Sequence, residues 1–586
     1  MSLDLSISAL HAQYASGELT PAKLVDQLKA AISESDPLIW ISLTSDERMA
    51  SILGNLEGES SQTKPLFGIP FAIKDNIDLA GNSTTAACPD YAYDPDKDAT
   101  VVALLIEAGA IPMGKTNLDQ FATGLVGVRS PYGFPKNPFN EDFIPGGSSS
   151  GSAVSVARDL VTFSLGTDTA GSGRIPAGLN ELIGLKPTFG SLSCAGVVPA
   201  CRSLDCVSIF TKIPDDAATV FSVAAQPDSD DAYSRAPSQT NWFPADNFTF
   251  GVPQAEQLKF FGDAEAEILF TEAVTKLESI GGTKVTIDFS ALLEAALLLY
   301  EGPWVSERFA AIEEFITSQP ESLFPVTHKI ISGGGAPRAV DGFRAQYQLK
   351  ELKRRADLVM ASVDLIVTPT AGTAYTAAEV EAEPVQLNSN LGYYTNFMNL
   401  LDLSACAIPA GRLASKGMPW GITLVAPALS DHALLDLANR FGGAESSENS
   451  LPHDWIEVVV CGAHMRGLPL NHQLTDRGAY FLREDSTSSD YQLLALPPEN
   501  GLPPRPGLIR KEAGKGASIA VESWAIPADQ FGSFVAGIPS PLGFGKLTLA
   551  GGKIVTGFIC ESAVPEGSTD ITELGGWRAF LSAEAS

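Results

Sequence analysis

The sequence predicts an α/β protein for residues 1–441 and a smaller, mainly β domain for residues 453–586. Three observations lead to this prediction. Apolar runs of strand-like length alternate with helix-like stretches in the first part, as they do in α/β folds. A polar, turn-rich segment at 442–452 then interrupts the pattern, and strand-like runs dominate after it. A chain of 586 residues is also too long for one ordinary domain, so we expect two domains joined by a linker.

Apolar spacing and turn residues locate the elements in order along the chain. Short apolar runs predict strands at 65–72, 161–166 and 365–370, and helical spacing predicts helices at 100–109, 152–159 and 431–441. In the second domain a Gly551-Gly552 turn between two apolar runs predicts a hairpin. The strands expected there are 455–461, 491–496, 517–526, 544–549 and 554–560.

The composition indicates a globular protein that binds neither nucleic acid nor membrane. Hydrophobic residues make up 45% of the chain, charged residues 18%, and the net charge is −30. A negative field of this kind repels nucleic acid and anionic lipid. No apolar run is long enough for a transmembrane helix, and the N-terminus lacks the features of a secretory signal. The seven cysteines match neither a zinc site nor a disulfide framework, which indicates free thiols in the cytoplasm.

Three separated segments carry residues suited to acyl transfer. Ser148 lies in a glycine-rich loop at 146–151, Ser172 follows it 24 residues later, and Lys74 precedes it by 74 residues. Glycine lets several backbone N–H groups approach a ligand and point at one spot. A serine in such a loop, with a lysine as its base, has the minimum requirements for acyl transfer. The six histidines lie outside these segments, which argues against a Ser-His-Asp triad.

In motif and spacing these segments resemble the amidase signature family, which uses a Ser–cisSer–Lys triad. The resemblance implies a core with a central mixed β-sheet flanked by helices. It implies that Ser172 is the nucleophile, that Ser148 relays the proton after a cis peptide bond, and that Lys74 is the base. A lysine base has to be neutral, which burial can achieve. Successive N–H groups are expected to form the oxyanion hole, namely those of Thr169, Ala170, Gly171 and Ser172.

Four polar residues near the two serines are expected to support the loops rather than react. These residues are Ser149, Ser150, Asp168 and Arg174. Asp168 and Arg174 carry opposite charges within one loop, so we expect them to hold it by charge pairing. No cofactor and no metal ion is expected for this chemistry.

Two further segments carry candidate substrate-binding residues. The segment 298–309 resembles the one that binds substrate in the allophanate hydrolase branch of this family, and the loop 117–125 resembles the corresponding loop of the family as a whole. Tyr300 and Arg308 lie in the segment 298–309, and Gly124 lies in the loop 117–125. A guanidinium suits a small planar carboxylate, a tyrosine hydroxyl can bind the other end, and glycine lets the backbone contact a substrate. The alternative is an ordinary helix with an exposed Arg308 and a Tyr300 in the core.

The segments 460–471 and 531–543 resemble the C-terminal domain of allophanate hydrolases, so the resemblance covers nearly the whole chain. More distantly, this domain resembles the gamma-glutamyl cyclotransferase fold. His464 lies beside a glycine-rich turn and is a candidate for a second chemical step, while a structural role is the alternative.

The function that the resemblance implies is hydrolysis of the small molecule allophanate to ammonia and carbon dioxide or bicarbonate. This reaction belongs to urea degradation and links the chain functionally to urea carboxylase. The C-terminal domain would decarboxylate the N-carboxycarbamate that the first hydrolysis leaves. Two alternatives stay open: another amidase or a component of a glutamyl-tRNA amidotransferase, and a C-terminal domain that serves only for assembly. We further expect a homodimer in the cytoplasm.

Overall fold

The structure, a computed structural model, describes residues 3–236, 243, 247–443, 455–498, 504–512 and 514–584. The chain divides into two compact units, Met1–Ser447 and Glu448–Ser586. Most of the linker predicted at 442–452 lies outside the described residues. Within it, Gly442 ends a helix and Gly443 follows with a φ of 86°, the left-handed conformation in which helices commonly end at glycine.

The first unit is built on one sheet of 11 strands within the described residues. These strands are β1 (Trp40–Leu43), β2 (Pro70–Lys74), β3 (Ile111–Thr116), β4 (Phe163–Asp168), β5 (Ile183–Lys186), β6 (Cys206–Thr211), β7 (Phe248–Pro253), β8 (Gly282–Ile287), β9 (Leu365–Pro369), β10 (Leu403–Leu413) and β11 (Met418–Pro427). They are hydrogen-bonded in the order β1-β3-β2-β4-β6-β5-β10-β11-β9-β7-β8. The pairs β2–β3, β2–β4, β7–β8 and β7–β9 are parallel and the other pairs are antiparallel, so the sheet is mixed.

Helices of the first unit pack against this sheet and against one another. They are α1 (Ile7–Ser16), α2 (Pro21–Glu34), α3 (Asp46–Asn55), α4 (Thr100–Glu107), α5 (Ser150–Ala157), α6 (Ile175–Leu179), α7 (Pro214–Ala224), α8 (Ala264–Ser279), α9 (Ser290–Glu301), α10 (Trp304–Ser318), α11 (Pro325–Ser332), α12 (Ala339–Met360), α13 (Ala377–Ala382), α14 (Gln386–Leu391), α15 (Phe397–Leu400) and α16 (Asp431–Gly442). Strands β2, β3 and β4 are buried along their whole length, as expected of a sheet covered on both faces. The predicted mixed sheet flanked by helices is confirmed.

The second unit contains two smaller sheets within the described residues. Its strands are β12 (Trp455–Val460), β13 (Tyr480–Ser486), β14 (Tyr491–Leu496), β15 (Arg505–Arg510), β16 (Ala520–Pro527), β17 (Leu542–Thr548), β18 (Ile554–Cys560) and β19 (Thr569–Asp570). Its helices are α17 (His472–Thr475), α18 (Ala528–Ala536) and α19 (Trp577–Glu584). The sheet orders are β13-β16-β12-β18-β17 and β15-β14-β19, and β17 pairs with β18 in the predicted hairpin. The prediction of a smaller sheet domain at this end of the chain is confirmed.

The start of β2 differs from the prediction in a way that matters for the site. The strand expected at 65–72 begins only at Pro70 and continues to Lys74, because Gly68, with a φ of 72°, turns the chain before it. Strand β2 lies parallel to β4, so the carboxyl ends of both strands are at one edge of the sheet. Lys74 and Asp168, the last residues of these two strands, are therefore brought to the same edge.

Candidate active site

Lys74 is fully buried at the end of β2 and contacts the first of the two predicted serines. Its Nζ lies 2.8 Å from Ser148 Oγ and 2.7 Å from Thr167 Oγ1. Burial lowers the pKa of Lys74 to about 7. The charges that oppose this shift are, in decreasing order, those of Asp119, Asp205 and Asp168. A substantial fraction of Lys74 is therefore neutral near pH 7 and able to accept a proton.

Ser148 follows a cis peptide bond after Gly147. Its hydroxyl faces Lys74, and its carbonyl accepts a hydrogen bond from the N–H of Asp119 at 3.0 Å. The next two serines bond to nearby carbonyls: Ser149 Oγ donates to Thr167 O at 3.3 Å and Ser150 Oγ donates to Asn117 O at 3.4 Å. These contacts support the expectation that Ser149 and Ser150 hold the loop.

Ser172 lies in the loop between β4 and α6 and is 3% exposed. Its hydroxyl donates to the carbonyl of Gly124 at 3.4 Å. Gly124 has a φ of 156°, and a Cβ at this position would lie 2.6 Å from Asp119 Oδ2. A side chain at this position would clash with the Asp119 carboxylate, so glycine is required for the packing of this loop against Asp119.

The loop that carries Ser172 is held by the carboxylate of Asp168. Asp168 accepts hydrogen bonds from the N–H groups of Gly171 and Gly173, both at 2.9 Å. Arg174 forms a buried bidentate pair with it, through Nη2 at 2.8 Å and Nε at 2.9 Å. Burial opposes the ionisation of Asp168, but the charge and hydrogen bonds of Arg174 outweigh it and hold the pKa of Asp168 below its usual value. The charge pair predicted for this loop is present.

The predicted oxyanion hole needs one correction. The N–H of Gly171 donates to Asp168, so this group is already used inside the loop. The N–H groups of Thr169, Ala170 and Ser172 have no such partner among the described residues. Thr169 is held in position because its hydroxyl donates to the buried carboxylate of Asp205. Three of the four predicted N–H groups therefore have no partner among the described residues.

Arg308 is buried on α10, with 2% of its surface exposed, so the alternative of an exposed arginine is wrong. Its guanidinium donates to Thr123 Oγ1 at 3.2 Å and lies 3.5 Å from Tyr300 OH, with Cζ 5.4 Å from the centre of the Tyr300 ring. Nε has no hydrogen-bond partner within the described residues. The carboxylates of Asp205 and Glu307 interact with the guanidinium electrostatically, but neither forms an ion pair with it. A buried cation without a paired anion is costly, so the site favours an anionic ligand.

Arg308 and Ser172 border the same loop. The guanidinium contacts Thr123, and the Ser172 hydroxyl bonds to the carbonyl of the next residue, Gly124. The structure thus brings the predicted triad side chains and all three predicted substrate-binding residues to one region. Sequence reasoning missed three of the residues around them, namely Thr167, Asp119 and Asp205. Side-chain alternation along β4 could have indicated Thr167, whereas Asp119 and Asp205 lie in loops without a periodic signal.

His464 lies in the second unit, in the turn after β12, and is 8% exposed. Its ring stacks on Phe558, with centroids 5.1 Å apart, and meets the edge of Phe534 at 5.2 Å. Nε2 is 3.1 Å from Gln473 Oε1. Burial lowers the pKa of His464, which favours the neutral ring in this aromatic surrounding.

The first-unit site contains the buried Ser172 hydroxyl, the buried Lys74 amine, the Ser148 hydroxyl in contact with that amine, and backbone N–H groups without a partner among the described residues. This combination can form and hydrolyse an acyl-enzyme. Among the described residues no group of histidine, cysteine, aspartate and glutamate side chains could hold a metal ion. No helix in the described part of the chain is long and apolar enough to cross a membrane.

Two families match this sequence. The amidase family covers residues 23–435, which is more than half of the chain. The chain belongs to the amidase family. The allophanate hydrolase C-terminal domain covers residues 456–582. Both resemblances expected from the motifs are thereby confirmed.

Individual relatives extend this picture. A solved structure entitled SeMet-substituted Kluyveromyces lactis Allophanate Hydrolase has a TM-score of 0.80 and 41% identity, with 100% of both chains covered. The urea amidolyase of Saccharomyces cerevisiae is 45% identical over 573 residues, which are 92% of this chain and 31% of that protein. A glutamyl-tRNA(Gln) amidotransferase component of Lactobacillus acidophilus is 32% identical over 467 residues, covering 75% of this chain and 96% of the relative. This chain spans about a third of the length of the urea amidolyases that it matches.

Proposed function

We propose that this chain hydrolyses allophanate in urea degradation. The observation that carries the proposal is Arg308, a buried guanidinium without an ion-pair partner, at the loop whose Gly124 carbonyl accepts the Ser172 hydroxyl. Allophanate has a carboxylate at one end and a primary amide at the other. One end can therefore bind the cation while the other reaches the nucleophile. The likeness to a Kluyveromyces lactis allophanate hydrolase over 100% of the chain supports this substrate.

In the proposed reaction, Ser172 Oγ attacks the carbon of the terminal amide. Ser148 takes the proton from Ser172 and passes its own to the neutral Lys74 amine, and a proton returns to the leaving nitrogen, which departs as ammonia. The N–H groups of Thr169, Ala170 and Ser172 bind the oxyanion, and removal of one such donor typically costs about 2.7–4 kcal/mol. Water then hydrolyses the acyl-enzyme. Allophanate and water together give ammonium and the N-carboxycarbamate dianion.

Electrostatics supports a dedicated cation in the site. With a net charge of −30, the protein as a whole repels an anionic substrate. A buried guanidinium acts at short range in surroundings of low dielectric constant, where its attraction for a carboxylate is much stronger than in water. Arg308, with Tyr300 beside it, therefore supplies the local attraction that the overall charge opposes.

We further propose that the second unit promotes loss of carbon dioxide from N-carboxycarbamate, with His464 in the reacting site. The match of residues 456–582 to the allophanate hydrolase C-terminal domain supports a function tied to this substrate. The contacts of His464 with Phe534 and Phe558 favour the alternative, in which the ring is structural and the unit serves for assembly. Product analysis of a His464 variant distinguishes these two roles.

The supply of substrate and the cellular context belong to the same proposal. Allophanate is a carboxylated urea, so a urea carboxylase has to act before this chain, and the name of the urea amidolyase relatives supports that link.

All seven cysteines are free and lie within the described residues, which supports a cytoplasmic location. The exposed apolar residues Phe343 and Tyr347 on α12 offer a surface for homodimer formation, which light scattering tests.

The experiment that tests the function is ammonia release by the purified chain from four compounds: allophanate, malonamate, biuret and a simple aliphatic amide. We expect the highest kcat/KM for allophanate and a measurable rate with malonamate, which also carries a carboxylate. A higher kcat/KM for the aliphatic amide would favour a general amidase and would contradict the proposal. Glutaminase activity that exceeds allophanate hydrolysis would favour a role in an amidotransferase instead.

A further inference from the structure

Asp119 is a fully buried residue that contacts both sides of the candidate active site. Its carboxylate accepts three backbone hydrogen bonds, from Val126 at 3.2 Å, Gly127 at 2.9 Å and Arg129 at 2.8 Å. Its own N–H donates to the carbonyl of Ser148 at 3.0 Å. The Asp119 carboxylate therefore binds the loop at 126–129, while the Asp119 backbone N–H binds Ser148, the proposed relay.

Two glycines of the site leave room for this carboxylate. A Cβ on Gly124 would lie 2.6 Å from Asp119 Oδ2, and a Cβ on Gly147 would overlap the same oxygen. Gly124 accepts the hydrogen bond of the Ser172 hydroxyl, and Gly147 directly precedes Ser148. The carboxylate thus packs between the backbone beside the nucleophile and the backbone beside the relay.

Asp119 also acts on the lysine by its charge. Asp119 raises the pKa of Lys74 more than any other carboxylate that acts on it electrostatically. The charged groups that face Lys74 are Asp119, Asp205 and Asp168, which favour the protonated amine, and Arg308, which disfavours it. Burial holds the pKa of Asp119 above its usual value, and the charge of Arg129 and the N–H groups of Gly127 and Arg129 offset only part of this effect. These partners hold the carboxylate in place and oppose the effect of burial on its ionisation.

We propose that Asp119 is a positioning residue: it fixes the Gly124 carbonyl and the Ser148 relay relative to each other, and its charge acts on the Lys74 amine. This proposal rests on the acyl-transfer chemistry proposed above, but it does not depend on which amide is the substrate. Because the effect reaches the reaction through other groups, a merely structural contribution has to be separated from it by a readout that follows protonation.

The test compares Asp119→Asn, which removes the charge but keeps an acceptor oxygen, with Asp119→Ala, which removes both. Two rates are measured against pH: modification of Ser172 by an alkyl fluorophosphonate, and kcat/KM for ammonia release from allophanate. Both variants should shift the acid limb of each profile to lower pH, by about one unit, because a nearby negative charge no longer favours protonated Lys74. Asp119→Ala should in addition lower the plateau at least about tenfold, the size of one lost positioning contact.

Asp431→Asn is the matched control. Asp431 is 2% exposed and accepts hydrogen bonds from the N–H and hydroxyl of Thr188, at 2.8 Å and 2.7 Å, and it is not one of the main charges that shift the pKa of Lys74. This variant should lower the thermal midpoint and leave the acid limb in place. If Asp119→Ala does not fold, Asp119→Asn decides the case alone, since it preserves the size of the side chain.

The proposal is overturned if both Asp119 variants keep the wild-type acid limb, or if Asp431→Asn shifts it equally. The fluorophosphonate separates this failure from failure of the proposed function. A wild-type chain that is modified at Ser172 but releases no ammonia from allophanate refutes the substrate, and the Asp119 comparison is then read from the modification rates. A wild-type chain that is not modified at Ser172 overturns both proposals.

Discussion

Replacement of Arg308 by methionine removes the charge of a buried guanidinium and keeps an unbranched side chain. In the structure this guanidinium is 2% exposed and bonds only to neutral oxygens, so the proposed substrate carboxylate is its charge partner. Loss of one member of a buried, hydrogen-bonded charge pair typically costs about 2–5 kcal/mol. Since about 1.4 kcal/mol corresponds to a factor of ten, kcat/KM for allophanate should fall roughly 30-fold to several thousand-fold.

The assay compares allophanate with biuret, in which a neutral amide replaces the carboxylate. Arg308→Met should reduce kcat/KM for biuret much less than for allophanate, because biuret offers no charge to the site. Arg355→Met is the control, since Arg355 is an exposed arginine paired with Glu294 at 2.9 Å, and it should leave both rates unchanged. Equal losses on the two substrates would refute the assignment of Arg308 as the carboxylate-binding residue. Tyr300→Phe should show the same preference with a smaller loss.

Three further predictions concern the triad and the second unit. Ser172→Ala should abolish ammonia release while the thermal midpoint stays near the wild-type value, and near-normal activity would exclude Ser172 as the nucleophile. The proposed active form of Lys74 is the neutral amine, so kcat/KM should rise with pH through a pKa of about 7 and then level off. A rise of kcat/KM near the ordinary lysine pKa of about 10.4 would contradict a buried base. The His464→Ala variant should release the first ammonia normally but accumulate N-carboxycarbamate. The control variant His472→Ala, at an exposed histidine, should not accumulate it. If neither variant accumulates N-carboxycarbamate, the second unit serves for assembly.

Much of the fold could be predicted because the signals are local. The hairpin of β17 and β18 follows from two apolar runs around Gly551-Gly552, and the helix predicted at 100–109 is found as α4, Thr100–Glu107. The start of β2 could not be predicted from apolarity alone, because the residues before Pro70 are apolar but turn at Gly68. Apolar composition indicates burial, while the backbone conformation of one glycine decides where the extended chain begins.

The candidate site also has features that the sequence predicts and features that it does not. The spacing of three motifs predicts Lys74, Ser148 and Ser172 as site residues, and the structure brings the Lys74 amine within 2.8 Å of the Ser148 hydroxyl. The Gly171 N–H donates a hydrogen bond to Asp168 because of the conformation of one loop, and the residue types alone do not specify that conformation. The burial of Arg308 is likewise a property of how α10 packs, since the sequence of that segment is compatible with an exposed arginine.

The central claim is that this chain hydrolyses allophanate at Ser172. The most direct measurement is the yield of ammonia from pure allophanate with the purified full-length chain, compared with the Ser172→Ala variant at the same concentration. We predict that the wild-type chain releases both nitrogens of allophanate as ammonia and that Ser172→Ala releases none above the uncatalysed background. No ammonia from the wild-type chain, or an equal yield and rate from the variant, would contradict the claim.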